Sequence, residues 1–200
     1  LIAHYFSQPN YLKVNGAPYF AIYDLGRFIN GLGGLAAAHA AIEQFRAKVR
    51  AMGWPDLHLH GHIYGRNILT SETRFTNSSE IIAQLGLAST SIYAWAHFFN
   101  PDDGGFPKSD YRLAMASVHE AEEHYRNAPT PYYPCVSVGW DPTPRTPPDA
   151  PYIARGYPWT AVLDGNTPDA FREALQWAKA YADQTQTHTP RMVTINAWNE

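Results

Sequence analysis

Arg191-Met192-Val193-Thr194-Ile195-Asn196-Ala197-Trp198-Asn199-Glu200 is the stretch whose reading decides the fold. It starts after Pro190 as a short β-branched run, which reads as a buried strand. It ends in a polar, aromatic and acidic cluster: Asn196, Trp198, Asn199 and Glu200. Buried strands normally give way to turn residues such as Gly, Asn or Asp. A carboxylate beside two carboxamides and an indole, at the C-terminal end of a strand, is where a (β/α) barrel places its chemistry. Taken alone, Glu200 is equally well a solvated side chain, so the decision passes to the rest of the chain.

Upstream, Thr167-Pro168-Asp169 reads as an N-cap with proline at the first helical position, opening a helix to about Asp183. Before it, Thr146 to Gly165 is a long loop rich in Pro, Tyr and Arg. It lacks the low complexity and charge blocks of disorder and is expected to shape a binding cleft. Pro134 to Trp140 reads as a strand running into Asp141-Pro142-Thr143-Pro144-Arg145. A helix capped by Ser109 extends to about Arg126, with Glu120, Glu122 and Glu123 as a solvated acidic face. Ser89 to Ala96 is a further strand, ending in His97-Phe98-Phe99-Asn100.

Asn77 with Glu80 forms a capping pair for a short helix from Ser79 to Leu85, closed by Gly86. Leu57 to Tyr64 is a strand. A helix from about Leu35 to Met52 carries Ala37, Ile42, Phe45 and Val49 along one stripe and stops at Gly53. Tyr19 to Tyr23 is the first strand, ending at Asp24 and entered through an Asn15-Gly16 turn.

The fold class that follows is α/β, a partial (β/α)8 TIM barrel with about five parallel strands and four intervening helices. The strands end in Asp24, Tyr64, His97 with Asn100, Asp141 and Glu200. Polar ends gathered on one rim favour a barrel over an open dinucleotide-binding sheet. Gly31-Leu32-Gly33-Gly34 also has the wrong spacing for the glycine fingerprint of such a sheet. A complete barrel has eight strands in roughly 250 residues. Residues 1–200 are therefore expected to be one domain, the C-terminal portion of a barrel whose remaining segments lie to either side.

Composition narrows the function. Aromatic residues make up 14%, with 6 Trp and 13 Tyr, while charged residues are 16%, below the typical ~25%. Tyr and Trp pair a flat apolar face with a hydrogen-bonding edge, which suits sugars, although an aromatic-rich core accounts for the same figure. A net charge of −3 offers no basic field for nucleic acid. No apolar run approaches the roughly 20 residues of a membrane helix. Leu1 to Tyr5 carries no targeting signal, so the compartment stays open, with secretion or a periplasmic location compatible with the full protein.

The one cysteine, Cys135, excludes an internal disulfide and reads as an inert core thiol. Alternation puts His58, His60 and His62 on one face of a strand. Successive rings stand roughly 6.6 Å apart, awkward for closing around one zinc ion. They are expected to form a polar interior or to face substrate, and neither metal nor cofactor is expected.

Three motifs in order carry a resemblance: Tyr11-Leu12-Lys13-Val14-Asn15-Gly16-Ala17-Pro18-Tyr19-Phe20-Ala21-Ile22-Tyr23, Gly139-Trp140-Asp141-Pro142-Thr143-Pro144-Arg145, and Asn196-Ala197-Trp198-Asn199-Glu200. Together they resemble the WbsX-type proteins, often labelled glycosyltransferases. That group is similar in turn to glycoside hydrolase family 99, the endo-α-mannosidases and endo-mannanases. The resemblance spans the chain and corresponds to the C-terminal part of the family domain.

It implies a (β/α)8 barrel acting on an oligo- or polysaccharide, a retaining hydrolase of α-mannoside-like or related linkages. Glu200 matches the family's base toward the sugar 2-hydroxyl, giving an epoxide-like intermediate. The general acid/base matches a second glutamate just beyond Glu200. Pro142 stands where Asn is common in the family, which stiffens the loop.

Around Glu200, Asn196 and Asn199 are placed to donate amide hydrogen bonds, and Trp198 to exclude water or back the strand. Trp140, Trp95, Tyr64 and Tyr23 are candidates for stacking on sugar faces, with Asp24 and His60 as polar contacts. Asp141 either accepts from sugar hydroxyls or pairs with Arg145 and fixes the loop. Two other functions compete: a glycosyltransferase of polysaccharide assembly and a non-catalytic carbohydrate-binding barrel. Against the first, no Asp-x-Asp occurs; Asp102 and Asp103 are adjacent.

Overall fold

Asn15 and Gly16 both adopt positive φ, 52° and 80°, the conformation a two-residue hairpin needs. They join β1 (Lys13–Val14) to β2 (Ala17–Ile22) in antiparallel pairing. The computed structural model describes residues 1–68, 78–186 and 190–197. Asn77 of the expected capping pair, and Trp198, Asn199 and Glu200, lie outside them.

From β2 onward strands are interspersed with helices. α1 (Leu25–Gly31) and α2 (Leu35–Ala51) lead to β3 (His58–His62), and α3 (Ser78–Leu85) leads to β4 (Ser89–Ser91). β5 (Lys108–Asp110) runs directly into α4 (Tyr111–Glu123), followed by β6 (Cys135–Ser137), β7 (Val162–Asp164), α5 (Pro168–Thr185) and β8 (Thr194–Asn196).

β2, β3 and β4 are parallel neighbours, with Tyr19 opposite His58, Ala21 opposite His60, His60 opposite Ser89 and His62 opposite Ser91. A parallel bridge from Thr90 to Tyr132 reaches the segment before β6. β6 pairs in parallel with β8, and β5 with β7. The fold is α/β, and among the described residues it is built on short sheets: one of four strands, mixed in direction, and two parallel pairs.

Several expected boundaries move. Asp24 ends no rim strand; it caps α1, a helix too short for a periodic signal, its Oδ1 accepting from Arg27 N at 2.8 Å. β4 stops at Ser91, and Trp95–His97 forms a 3-10 turn where strand was expected to Ala96. Asp110, not Ser109, caps α4, accepting from Arg112 N and Leu113 N. The long loop contributes β7, whose backbone pairs with β5 although only Val162 and Leu163 are apolar.

Strand alternation divides the interior. Leu57, just before β3, and Leu59 of β3 join Phe20, Leu25, Ile29, Ile42, Val49 and Leu85 in one apolar cluster against α1, α2 and α3. Gly61 shares that face because a Cβ there meets Leu87 Cδ1 at 2.6 Å and Leu25 Cδ1 at 3.0 Å. Arg46 of α2 is buried and donates to Leu57 O at 2.8 Å and Gly86 O at 2.6 Å. It thereby ties α2 to the start of β3 and the end of α3, while Asp56 pairs with it at 3.1 Å. A second cluster packs Ile92, Trp95, Tyr111, Val118, Val136, Leu163 and Tyr181 between β4, β6, β7 and helices α4 and α5.

Glu122 departs from the expected acidic face. Its side chain is fully buried and accepts from Tyr132 Oη at 2.8 Å and Cys135 N at 3.0 Å. The signal was in the spacing: Tyr111, Ala114, Val118 and Glu122 lie on one helical stripe. Burial pushes its carboxyl up to about 8, so it is largely neutral at pH 7.

Two outcomes follow. Gly61→Ala is expected to lower stability by about 1–3 kcal/mol through overpacking, read by urea unfolding. Between the ordinary value of 4.5 and about 8, the folded chain holds a proton on Glu122 that the unfolded chain releases. Stability therefore falls as pH rises across that window and levels off above it. The urea midpoint of Glu122→Gln is expected to lose this slope; an unchanged slope contradicts the assignment.

Candidate functional site

The C-terminal ends of the parallel strands open onto a pocket of about 390 Å3, within the usual range for small-ligand sites. Its lining comes from Tyr23 after β2, Tyr93, Ala94 and His97 after β4, and Val138 to Pro142 after β6. Asp164 and Asn166 at the end of β7 and Asn196 of β8 add to the wall, together with Arg145 and Tyr157. Five residues named from sequence thus meet on one pocket: Tyr23, Trp140, Asp141, Arg145 and Asn196.

Each is held by its own element. Trp140 Nε1 donates to Thr160 Oγ1 at 2.9 Å, and its carbonyl accepts from Leu163 N at 2.9 Å. The indole is fixed between β6 and the long loop, with Tyr157 at 6.0 Å. Asp141 Oδ1 accepts from Thr143 N at 2.9 Å and Thr143 Oγ1 at 2.6 Å. One carboxylate oxygen therefore folds the turn through Thr143, while the side chain stays exposed on the pocket wall. Asn196 is buried, and its carbonyl accepts from Val138 N at 2.6 Å, joining β8 to β6 just below the rim.

Tyr23 is 43% exposed and meets Tyr93 edge-on at 4.7 Å. Tyr64 lies behind this pair. It is buried, its Oη donates to Tyr23 O at 2.6 Å, and its ring stacks on His97 at 4.0 Å. It supports the wall and does not line it.

Three sequence candidates lie elsewhere. Trp95 is buried among the helices, its Nε1 donating to Cys135 O at 2.7 Å and its ring 4.9 Å from Tyr111. The strand expected to carry it to Ala96 ends at Ser91, and Trp95 opens the 3-10 turn Trp95–His97. Asp24 serves the α1 cap described above. His60 is fully buried and makes no wall of the pocket. Glu200, Trp198 and Asn199 fall outside the described residues.

His97, expected among the polar strand ends, lines the pocket, while sequence reading missed Tyr93, Tyr157, Asp164 and Asn166. Tyr93 was hidden inside the strand expected to run to Ala96, and it reaches the wall because β4 ends at Ser91. Asp164 and Asn166 depend on β7, which a loop assignment conceals. Asn166 Nδ2 donates to Val138 O at 3.1 Å, anchoring the rim of β6.

The long loop is held by directional contacts. Ala161 N donates to Asp102 Oδ1 at 2.6 Å, Tyr152 Oη to Thr160 O at 2.5 Å, and Arg155 lies 3.7 Å from the Trp159 ring. Cys135 is buried in the core, and burial pushes its thiol up to about 12. Among the described residues, no group of three or more His, Cys, Asp or Glu is arranged to hold a metal ion.

The family model described as Glycosyltransferase WbsX matches residues 1–200. The chain belongs to that family, which places it among carbohydrate-active enzymes with a polysaccharide as the class of substrate. No curated protein and no solved structure matches it. Among the described residues no helix is long and apolar enough to cross a membrane.

Asp102→Ala leaves the buried Ala161 N–H without its acceptor, expected to cost about 1–3 kcal/mol. Amide exchange at Ala161 should accelerate while exchange in α2 stays unchanged; equal protection in the variant contradicts this anchoring role.

Proposed function

We propose that this WbsX-family chain carries the glycan pocket of a retaining glycoside hydrolase acting on an α-mannoside-like or related polysaccharide linkage. The observation that carries the reading is the pocket's position and lining. It lies past the C-terminal ends of parallel strands and presents Tyr23, Tyr93 and Trp140 beside the exposed carboxylate of Asp141. Aromatic faces suit the C–H faces of a pyranose, and a carboxylate suits its hydroxyl rim. The parallel pairs β2–β3–β4 and β6–β8, linked by the Thr90–Tyr132 bridge, are read as staves of a (β/α)8 barrel with this pocket at its mouth.

In this reading Glu200, which follows pocket-lining Asn196 by four residues in sequence, takes the proton of the sugar 2-hydroxyl. The freed oxygen forms a bond to the anomeric carbon as the glycosidic C–O bond breaks. A second carboxylic acid protonates the departing oxygen, and water then opens the strained ring with retention. Asn196 and Asn199 keep the base oriented, Trp198 shields it, and Asp141 with Arg145 holds hydroxyls along the wall.

The glycosyltransferase name of the family favours a second reading, transfer of a sugar from a nucleotide-linked donor. The two differ in the ligand they bind. The full-length gene product is expected to release reducing ends from α-mannan oligosaccharides and to bind nucleotide-sugars without saturation. Saturable nucleotide-sugar binding with no cleavage selects the transferase.

Glu200→Gln is expected to lower turnover by roughly 10²–10⁴-fold with oligosaccharide binding retained. Full turnover in that variant removes Glu200 from the mechanism. Trp140→Ala is expected to weaken oligosaccharide binding about tenfold, ~1.4 kcal/mol, read by calorimetry.

A further inference from the structure

β3 and β4 present a continuous line of polar side chains on the face opposite the helices. His58 Nε2 lies 2.7 Å from Ser89 Oγ, and the same oxygen lies 2.8 Å from His60 Nδ1. His60 Nε2 lies 2.9 Å from Ser91 Oγ, which lies 3.0 Å from His62 Nδ1. Each contact is within hydrogen-bond distance. The parallel register produces the line, since it sets Ser89 opposite His60 and Ser91 opposite His62.

His60, Ser89 and Ser91 are fully buried. Filling this space with aliphatic side chains avoids the cost of desolvating five polar groups, so packing alone does not account for the choice. Tyr19 stacks on His60 at 5.2 Å and Tyr133 at 5.8 Å, covering the middle ring. At one end His62 is partly exposed and meets the pocket-lining Tyr93 and Tyr23 edge-on at 5.7 and 6.2 Å.

We propose that His58, Ser89, His60, Ser91 and His62 form a proton relay whose outlet, His62, lies behind the tyrosine wall of the pocket.

The hydrogen-bond arithmetic is restrictive. A neutral imidazole has one N–H and one acceptor nitrogen, and a serine hydroxyl donates once. Burial pushes His60 far below its ordinary value, and His62 down to about 4, so these rings are neutral at pH 7. Burial, then the Arg46 charge, lowers His58 as well. When each serine hydroxyl also donates within the line, neutral members allow two arrangements.

In the first, all three rings carry hydrogen on Nε2: His58 donates to Ser89, Ser89 to His60, His60 to Ser91, and Ser91 to His62. In the second, all three carry hydrogen on Nδ1 and every bond reverses. Passing from the first to the second takes up one proton at His58 Nδ1, shifts one proton across each of the four contacts, and releases one from His62 Nε2. Protons balance, no charge remains, and the reverse passage accepts a proton at His62. The remaining titratable rings against the line are Tyr19, Tyr133, Tyr23, Tyr93 and His97.

The relay rests on the strand register and not on which glycan reaction the pocket performs, and its test uses no sugar. Nitrogen-15 NMR of histidine-labelled full-length chain at pH 7 should show His58, His60 and His62 neutral and in one shared tautomer, or averaging together. A mixed set, or a cationic His60, overturns the relay. Ser89→Ala breaks the line two contacts from His62. It should shift the His62 ring nitrogens toward the values of an unconstrained neutral imidazole, and Ser89→Thr, which keeps the hydroxyl, should restore them. His62 signals unchanged in Ser89→Ala overturn it. If that variant does not fold, the wild-type tautomers decide.

Discussion

The parallel register of β3 against β4 is the constraint from which the rest of the structure follows. With His60 set opposite Ser89 and His62 opposite Ser91, two-residue alternation decides both faces at once. Leu57, Leu59 and Gly61 turn toward α1, α2 and α3, while His58, His60 and His62 turn away from them. A slip of one residue buries imidazoles against α2 and drives Leu59 into the hydroxyl line. Arg46 guards that register by binding carbonyls on both sides of it, at Leu57 and Gly86. A cation this deeply buried is tolerated because two carbonyls and the carboxylates of Asp56 and Glu43 satisfy it.

The site depends on where these strands stop. β4 gives way after Ser91 and the chain curls through Trp95–His97. Tyr93 and His97 therefore reach the pocket, and Trp95 turns back to its hydrogen bond with Cys135. At β6 the strand yields to a turn folded by Asp141 on Thr143, and the long loop returns through Trp140 and Thr160. The wall is thus assembled from strand ends and from a loop pinned at Asp102. Such a surface is preorganised for a ligand with many weak contacts, the situation of a sugar chain.

How much of this was legible in sequence varied with the length of the signal. The long helices α2, α4 and α5 and the hairpin turn were readable because periodicity and Asn-Gly chemistry are local. Tyr23, Trp140, Asp141 and Asn196 were readable as pocket residues because each follows an apolar strand run. Trp95 was misplaced because the strand was carried to Ala96, whereas β4 is only three residues long. β7 was hidden because a pairing with β5 is a tertiary fact that a proline- and tyrosine-rich loop does not announce. Glu122 was read by its charge when its helical phase was the stronger evidence.

The central claim is that the aromatic and carboxylate wall at the strand ends receives a glycan. The most direct measurement follows the indole N–H resonances of Trp140 and Trp95 during titration with an α-mannan oligosaccharide. The account predicts that Trp140, on the wall, shifts saturably while Trp95, buried against Tyr111, stays still. A response of Trp95 without Trp140, or of neither at saturating sugar, contradicts it.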